Sequence, residues 1–286
     1  MNRTICSIPL VWLGFSVVFS LRALSVVKFE MSALLNSSVA WAAYMATRLV
    51  LRLTLEARLT SRLQGALIMR FVLDDSSLCL VNCHLAAGQT QTVNRNNDLT
   101  AILETAILPP ERGSSSHSTY IGGGDGSMVL DNEICILNGD LNYRIDTMGR
   151  DTVVKAVKSN NLSKLLERDQ LLVSRRRNPL FRARAFKECS ITFAPTYKYD
   201  VGSNNYDTSE KRRAPAWCDR ILYRGPGKIK QIAYCRHELW LSDHRPVSGV
   251  FKIRVKKITE DKRAKAWQES KQRFGQAKEQ LASEAK

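Results

Sequence analysis

Four short apolar runs, each delivering polar residues at its end, constrain this chain more than any other feature of its sequence. Leu78-Cys79-Leu80-Val81-Asn82-Cys83 leads to His84, and Ile134-Cys135-Ile136-Leu137-Asn138-Gly139 leads to Asp140, with Asn142 two residues on. Asp219 and Arg220 stand at the head of a third run, Ile221-Leu222-Tyr223, and Asp243 and His244 precede a fourth, Val250-Phe251-Lys252-Ile253. Runs this short and this apolar read as buried strands, and Pro215 just before the third run excludes a regular helix or central strand there. Any single Asp in such a place is an ordinary turn residue. Four strand ends carrying His, Asp plus Asn, Asp plus Arg, and Asp plus His argue instead for one convergent site, with Asp219 suited to orient an imidazole at His244.

The blocks NCHLAAG, GDLNYR, FAPTYKYD, RAPAWCDRIL and SDHRPV resemble the signatures of the inositol polyphosphate 5-phosphatases, within the endonuclease/exonuclease/phosphatase superfamily. The resemblance covers residues 65–254. It implies a DNase I-like fold: a four-layer α/β sandwich of two mainly antiparallel sheets flanked by helices, incomplete here at its amino-terminal end. It also implies removal of the 5-phosphate from phosphoinositides or soluble inositol polyphosphates by direct attack of water, with Mg2+ as cofactor. On that pattern His84, Asp140, Asn142, Asp219 and His244 are catalytic. Asp140 and Asp243 lie at the metal, and Tyr197, Lys198, Lys211, Arg213 and Arg220 bind substrate phosphate. Cationic side chains suit phosphate oxygens because their hydrogen bonds are charge-assisted. Two other readings remain open: a non-catalytic phosphoinositide-binding module, and a nuclease or other phosphodiesterase of the same superfamily.

The resemblance stops at the amino terminus. Relatives carry a metal-binding glutamate there, and neither Glu30 nor Glu56 sits in a matching context, although Leu63-Gln64-Gly65-Ala66 resembles a remnant of the family's glycine-rich turn. Residues 8–27 are largely apolar, like a signal peptide or a marginal membrane anchor, with Arg22 opposing a clean span. Residues 28–64 suggest one or two helices from their mixed three- and four-residue spacing.

Elsewhere the pattern predicts a strand over residues 66–74, a turn at Asp74-Asp75-Ser76-Ser77, a helix over 94–108, a single helix over 151–172 and an exposed helical tail over 255–286. Gly122-Gly123-Gly124-Asp125-Gly126 lacks the framing strand and helix of a phosphate loop. Forty-three Lys and Arg against 27 Asp and Glu leave a net charge of +16, which favours polyanionic partners: a phosphorylated headgroup, an anionic membrane face or, less in keeping with these motifs, nucleic acid. The Arg175, Arg176, Arg177, Arg182, Arg184 and Lys187 cluster is either a solvated face or a basic lip beside the site. Seven cysteines without paired knuckles predict a reducing compartment, with Cys79 and Cys83 as packing residues, and together with the charge and the family resemblance the expectation is a cytoplasmic protein peripheral to membranes. Cys218 has no surrounding loop of backbone donors and is not a candidate nucleophile.

Overall fold

The computed structural model describes residues 2–13, 16–19, 52–61, 64–111 and 119–284, with side chains described for 65–111 and 119–284. Among these residues nine strands form two sheets. One has the order β2 (Ser16–Phe19), β1 (Asn2–Leu13), β9 (Val247–Lys256), β8 (Ile229–Arg236); the other runs β3 (Arg52–Ser61), β4 (Gln64–Leu73), β5 (Ser76–His84), β6 (Ile134–Asp140), β7 (Asp219–Arg224). All neighbours are antiparallel except β5 and β6.

Strict alternation along the central strands builds two cores. Leu78, Leu80, Ile134 and Ile136 join Phe251, Ile253 and Val255 of β9 in the core between the sheets. The intervening Cys79, Val81, Cys83, Cys135 and Leu137 face Leu99, Ile102 and Leu103 of α1 (Thr92–Glu104) on the opposite side. Both faces are covered, so these strands read as unbroken apolar runs with cysteine used as a small hydrophobe. Burial accordingly pushes the Cys79, Cys83 and Cys135 thiols up, away from the reactive thiolate. In β9 only alternate residues are buried, Lys252 and Arg254 being exposed, as suits a sheet wet on its outer face.

The helix expected over residues 151–172 is three: α2 (Arg150–Lys158), α3 (Leu162–Leu166) and α4 (Gln170–Arg177). Asn160, at φ 53°, ends the first in the left-handed region. Asp169 restarts the last by accepting a hydrogen bond from the Leu172 amide. The charged tail is α5 (Glu260–Glu284), which buries no residue.

The amino-terminal expectations are corrected where they can be compared. Residues 2–13 and 16–19 are strands, β1 pairing along β9 from Asn2 opposite Lys256 to Trp12 opposite Val247, so this apolar stretch enters a sheet and forms no helical anchor there. Residues 52–61 are a strand on β4, not part of a helix, and Gln64, Gly65 and Ala66 begin β4 itself. Repeated leucines fit either period, and the free edge of β4 decided the matter. Glu30 and the rest of residues 20–51 lie outside the described residues. No helix among the described residues is long and apolar enough to cross a membrane.

Candidate active site

Three strands of the larger sheet end side by side. His84 is in register with Asp140 across β5 and β6, and Asp140 with Asp219 across β6 and β7. Gly139 makes this closeness possible: at φ +131°, a Cβ there would stand 2.0 Å from the Cys83 carbonyl oxygen. The fourth group comes from the other sheet. The segment leading into β9 is tied to the loop before β7 by the Arg245 amide, which donates to the Thr196 carbonyl at 2.8 Å, and by a bridge between Tyr197 and His244.

His244 Nδ1 lies 2.9 Å from Asp219 Oδ2, and Asp219 Oδ2 also accepts from the Thr196 hydroxyl at 2.6 Å. This leaves His244 Nε2 facing Asp140 Oδ2 at 3.9 Å, while His84 Nε2 approaches the same oxygen at 3.6 Å. Burial alone would lower the His244 pKa, but Asp219, then Asp140 and Asp243, outweigh it and raise it to about 9. Asp140 is pushed up from the usual carboxylate range by burial and by Asp219, against the opposing pull of the two histidines and Arg144. Tyr197 closes one wall, its ring tilted over that of His244 with centroids 4.5 Å apart.

The remaining expected residues divide. Asn142, in the left-handed region at φ 57°, donates its backbone N–H to Asp140 Oδ1 at 3.0 Å. Its side-chain amide donates to the Leu85 carbonyl at 3.0 Å and accepts from Arg144 at 2.5 Å. Lys198 and Arg213 sit beside Tyr197, with Arg213 donating to the Tyr197 hydroxyl at 2.9 Å, and Lys211 is exposed on the adjoining turn.

Of the last two expected residues, Asp243 stands beside the site and Arg220 is corrected. Asp243 pairs with Lys198 at 2.9 Å, beside the cluster of Asp140, Asp219 and His244. Burial opposes ionisation of Asp243, yet Lys198 and His244 hold its carboxyl below the usual range. Arg220 does not reach the site. Its fully buried guanidinium bonds Asp169 at 2.9 Å and Glu188 at 2.7 Å, because a β7 side chain next to Asp219 must point to the opposite face of the sheet.

Several supporting residues went unnoticed in the sequence. Thr196 holds Asp219, and Arg144 lies 4.5 Å over the Tyr197 ring while gripping Asn142. Arg95 of α1, fully buried, donates to the Ala86 carbonyl at 2.9 Å and the Gly88 carbonyl at 2.7 Å, fixing the loop that follows His84. Thr196 and Arg144 lie inside the quoted motifs, but nothing in their spacing distinguishes a holder from a contact. Arg95 has no sequence signal beyond being a lone cation on an apolar helix face.

The pattern of Endonuclease/Exonuclease/phosphatase family 2 matches residues 51–250. The chain belongs to that family. It is 49% identical over 225 residues to a probable inositol polyphosphate 5-phosphatase of Schizosaccharomyces pombe, covering 78% of this chain and 19% of the relative. It is 40% identical over 198 residues to synaptojanin of Caenorhabditis elegans, covering 68% of this chain and 16% of that protein. The chain thus spans less than a fifth of the length of either relative. Among solved structures, the inositol polyphosphate 5-phosphatase domain of a synaptojanin, in complex with inositol (1,4)-bisphosphate and calcium ion, superposes with a TM-score of 0.66 at 31% identity, covering 82% of this chain and 63% of that one. A Cimex nitrophorin, at a TM-score of 0.52, 20% identity and coverage of 72% of this chain and 65% of its own, shares the fold alone.

Proposed function

We propose that this chain removes the 5-phosphate of inositol polyphosphates or phosphoinositides by direct attack of water, with Mg2+ as the divalent cation. What carries the reading is the meeting of His84, Asp140 and His244 around one point, with Tyr197 and Lys198 alongside, in a chain similar to a domain seen with an inositol bisphosphate and calcium.

The residues fit a hard cation modestly. Asp140 offers a carboxylate raised in pKa by burial and by Asp219, a strain that a cation offsets, whereas Asp219 Oδ2 is already taken by His244 and Thr196. Mg2+ needs only one or two carboxylates when substrate phosphate and water complete its sphere, and Asp140 would be the protein's main hold on it. When bound, the ion neutralises charge building on the leaving oxygen.

The chain's own residues supply the rest. Asp140, whose carboxylate is made more basic by burial and by Asp219, would hold the attacking water and accept its proton. His244, kept cationic by Asp219, presents its Nε2 proton to a phosphoryl oxygen, and His84 does the same from the neighbouring strand. Lys198, Lys211 and Arg213 grip an adjacent phosphate, with Lys198 exchanging its bond to Asp243 for the substrate. A cytoplasmic protein peripheral to membranes is the setting we propose.

Phosphate release from phosphoinositide vesicles and from soluble inositol polyphosphates, with chelator and with Mg2+ restored, tests the assignment. Activity that vanishes with chelator and returns with Mg2+ is expected. Headgroup binding with no release in Mg2+ would replace this reading with a binding module, and cleavage of abasic DNA with a nuclease.

A further inference from the structure

Next to the catalytic histidine the surface presents apolar side chains that the proposed chemistry does not use. Leu239, Trp240 and Leu241 are 45%, 47% and 91% exposed, and Val201 is 66% exposed. The Gly202 amide donates to the Trp240 carbonyl at 2.9 Å, so the two loops stand together as one projecting rim. Asp243 and His244 follow Leu241 by only two and three residues, which puts this rim at the mouth of the site.

The rim is held rigidly. Arg245 is fully buried beneath it, its guanidinium 3.9 Å from the centroid of the Tyr199 ring, and it donates to the Ser242 carbonyl at 3.3 Å and to the Ser203 carbonyl. The Tyr199 amide adds a bond to the Asp243 carbonyl at 2.9 Å. A fold that fixes large apolar groups outward in this way has something to bury them in, because isolated patches of this kind are disfavoured in water.

Cations lie on the same loop as Val201. Lys211, Arg212 and Arg213 are exposed on the turn that ends the same loop, and Asp207 ties that turn back to the site by accepting from the Arg213 amide at 2.8 Å while its own amide donates to the Lys198 carbonyl at 2.9 Å. Tryptophan and leucine beside lysine and arginine match a lipid interface, where the ring sits at headgroup depth and cations meet anionic lipid.

Building on the phosphatase reading, we propose that Val201, Leu239, Trp240 and Leu241 form a tip that inserts into an anionic bilayer and seats the catalytic mouth on a membrane-embedded headgroup. The charge of the nearby turn and of the whole chain, +16, disfavours a neutral or basic protein face, and its combination with outward tryptophan and leucine matches an anionic lipid surface.

The test is sedimentation of the full chain with phosphatidylcholine vesicles, with and without phosphatidylserine, for the wild type, the Trp240→Ser/Leu241→Ser double variant and Trp267→Ser, a more exposed tryptophan site on α5. Affinity for the phosphatidylserine vesicles should fall about tenfold or more in the double variant, as expected for withdrawing two large side chains from an apolar phase, and stay unchanged in Trp267→Ser. Brominated lipid should quench wild-type fluorescence more than that of Trp240→Phe. Release of phosphate from a soluble inositol polyphosphate should be the same in wild type and double variant, since neither side chain reaches the reacting groups. Vesicle affinity unchanged in the double variant, or quenching unchanged in Trp240→Phe, overturns the proposal. Loss of vesicle binding in a chain that hydrolyses nothing would leave the tip standing and remove the phosphatase; hydrolysis of soluble substrate without any vesicle binding would do the reverse.

Discussion

Replacing Asp219 with Asn separates the charge of this carboxylate from its shape. The amide keeps the size of the side chain and can still bond either Thr196 or His244, but the attraction that outweighs burial at His244 is lost. In the wild type that imidazole titrates at about 9, against 6.5 for an ordinary histidine. At about 1.4 kcal/mol for each pH unit, the cation is favoured in the folded protein by about 3 kcal/mol. Because the folded-state pKa is raised, this stabilisation is complete below about 6.5 and is lost as pH rises through about 9. Asp219→Asn should bring the His244 titration down to the ordinary value or below, since burial then meets only Asp140 and Asp243. The assay is a proton-carbon NMR titration of the four histidines in metal-free protein, with His244 identified by its loss in His244→Gln, beside thermal melts across the same pH range. The wild type should lose several degrees of melting temperature between about pH 6.5 and 9, at about 2–4 °C per kcal/mol, and the variant should lose much less. A His244 titration unmoved by Asp219→Asn would refute the claim that this carboxylate sets its charge.

Other substitutions probe separate parts of the argument. Arg220→Met should destabilise the protein by about 3–5 kcal/mol in urea unfolding, because Asp169 and Glu188 are left buried and uncompensated; intact stability with a raised KM would return Arg220 to the phosphate site. Gly139→Ala should yield insoluble or grossly destabilised protein by circular dichroism, since its Cβ meets backbone and its φ is unsuited to alanine. Thr196→Val removes a hydrogen bond to a charged acceptor and should lower kcat by about tenfold with KM little changed in steady-state kinetics. Lys198→Ala together with Lys211→Ala should reduce turnover of substrates that carry a phosphate adjacent to the scissile one far more than of those that lack it, measured as kcat/KM on the paired substrates.

By itself, the sequence determined that buried strands end in His84, Asp140, Asp219 and, before the last of them, His244, because unbroken apolar runs are what a strand covered on both faces requires. Its motif blocks also identified the family. The helical tail was legible from its alternating charges, and the strand pair on either side of Asp74 and Asp75 from its turn residues. Register was not legible, and register is what puts His84, Asp140 and Asp219 abreast. Nor could the sequence say which face Arg220 takes: side chains alternate along a strand, and only the position of the second sheet and of α4 shows which side holds the site and which holds Asp169. The amino-terminal strands were misread because an apolar stretch takes its conformation from the edge it can pair with, and β9 and β4 supply those edges far away in the chain or only after folding. Local pattern therefore marked the candidates for chemistry, and long-range pairing decided which of them meet.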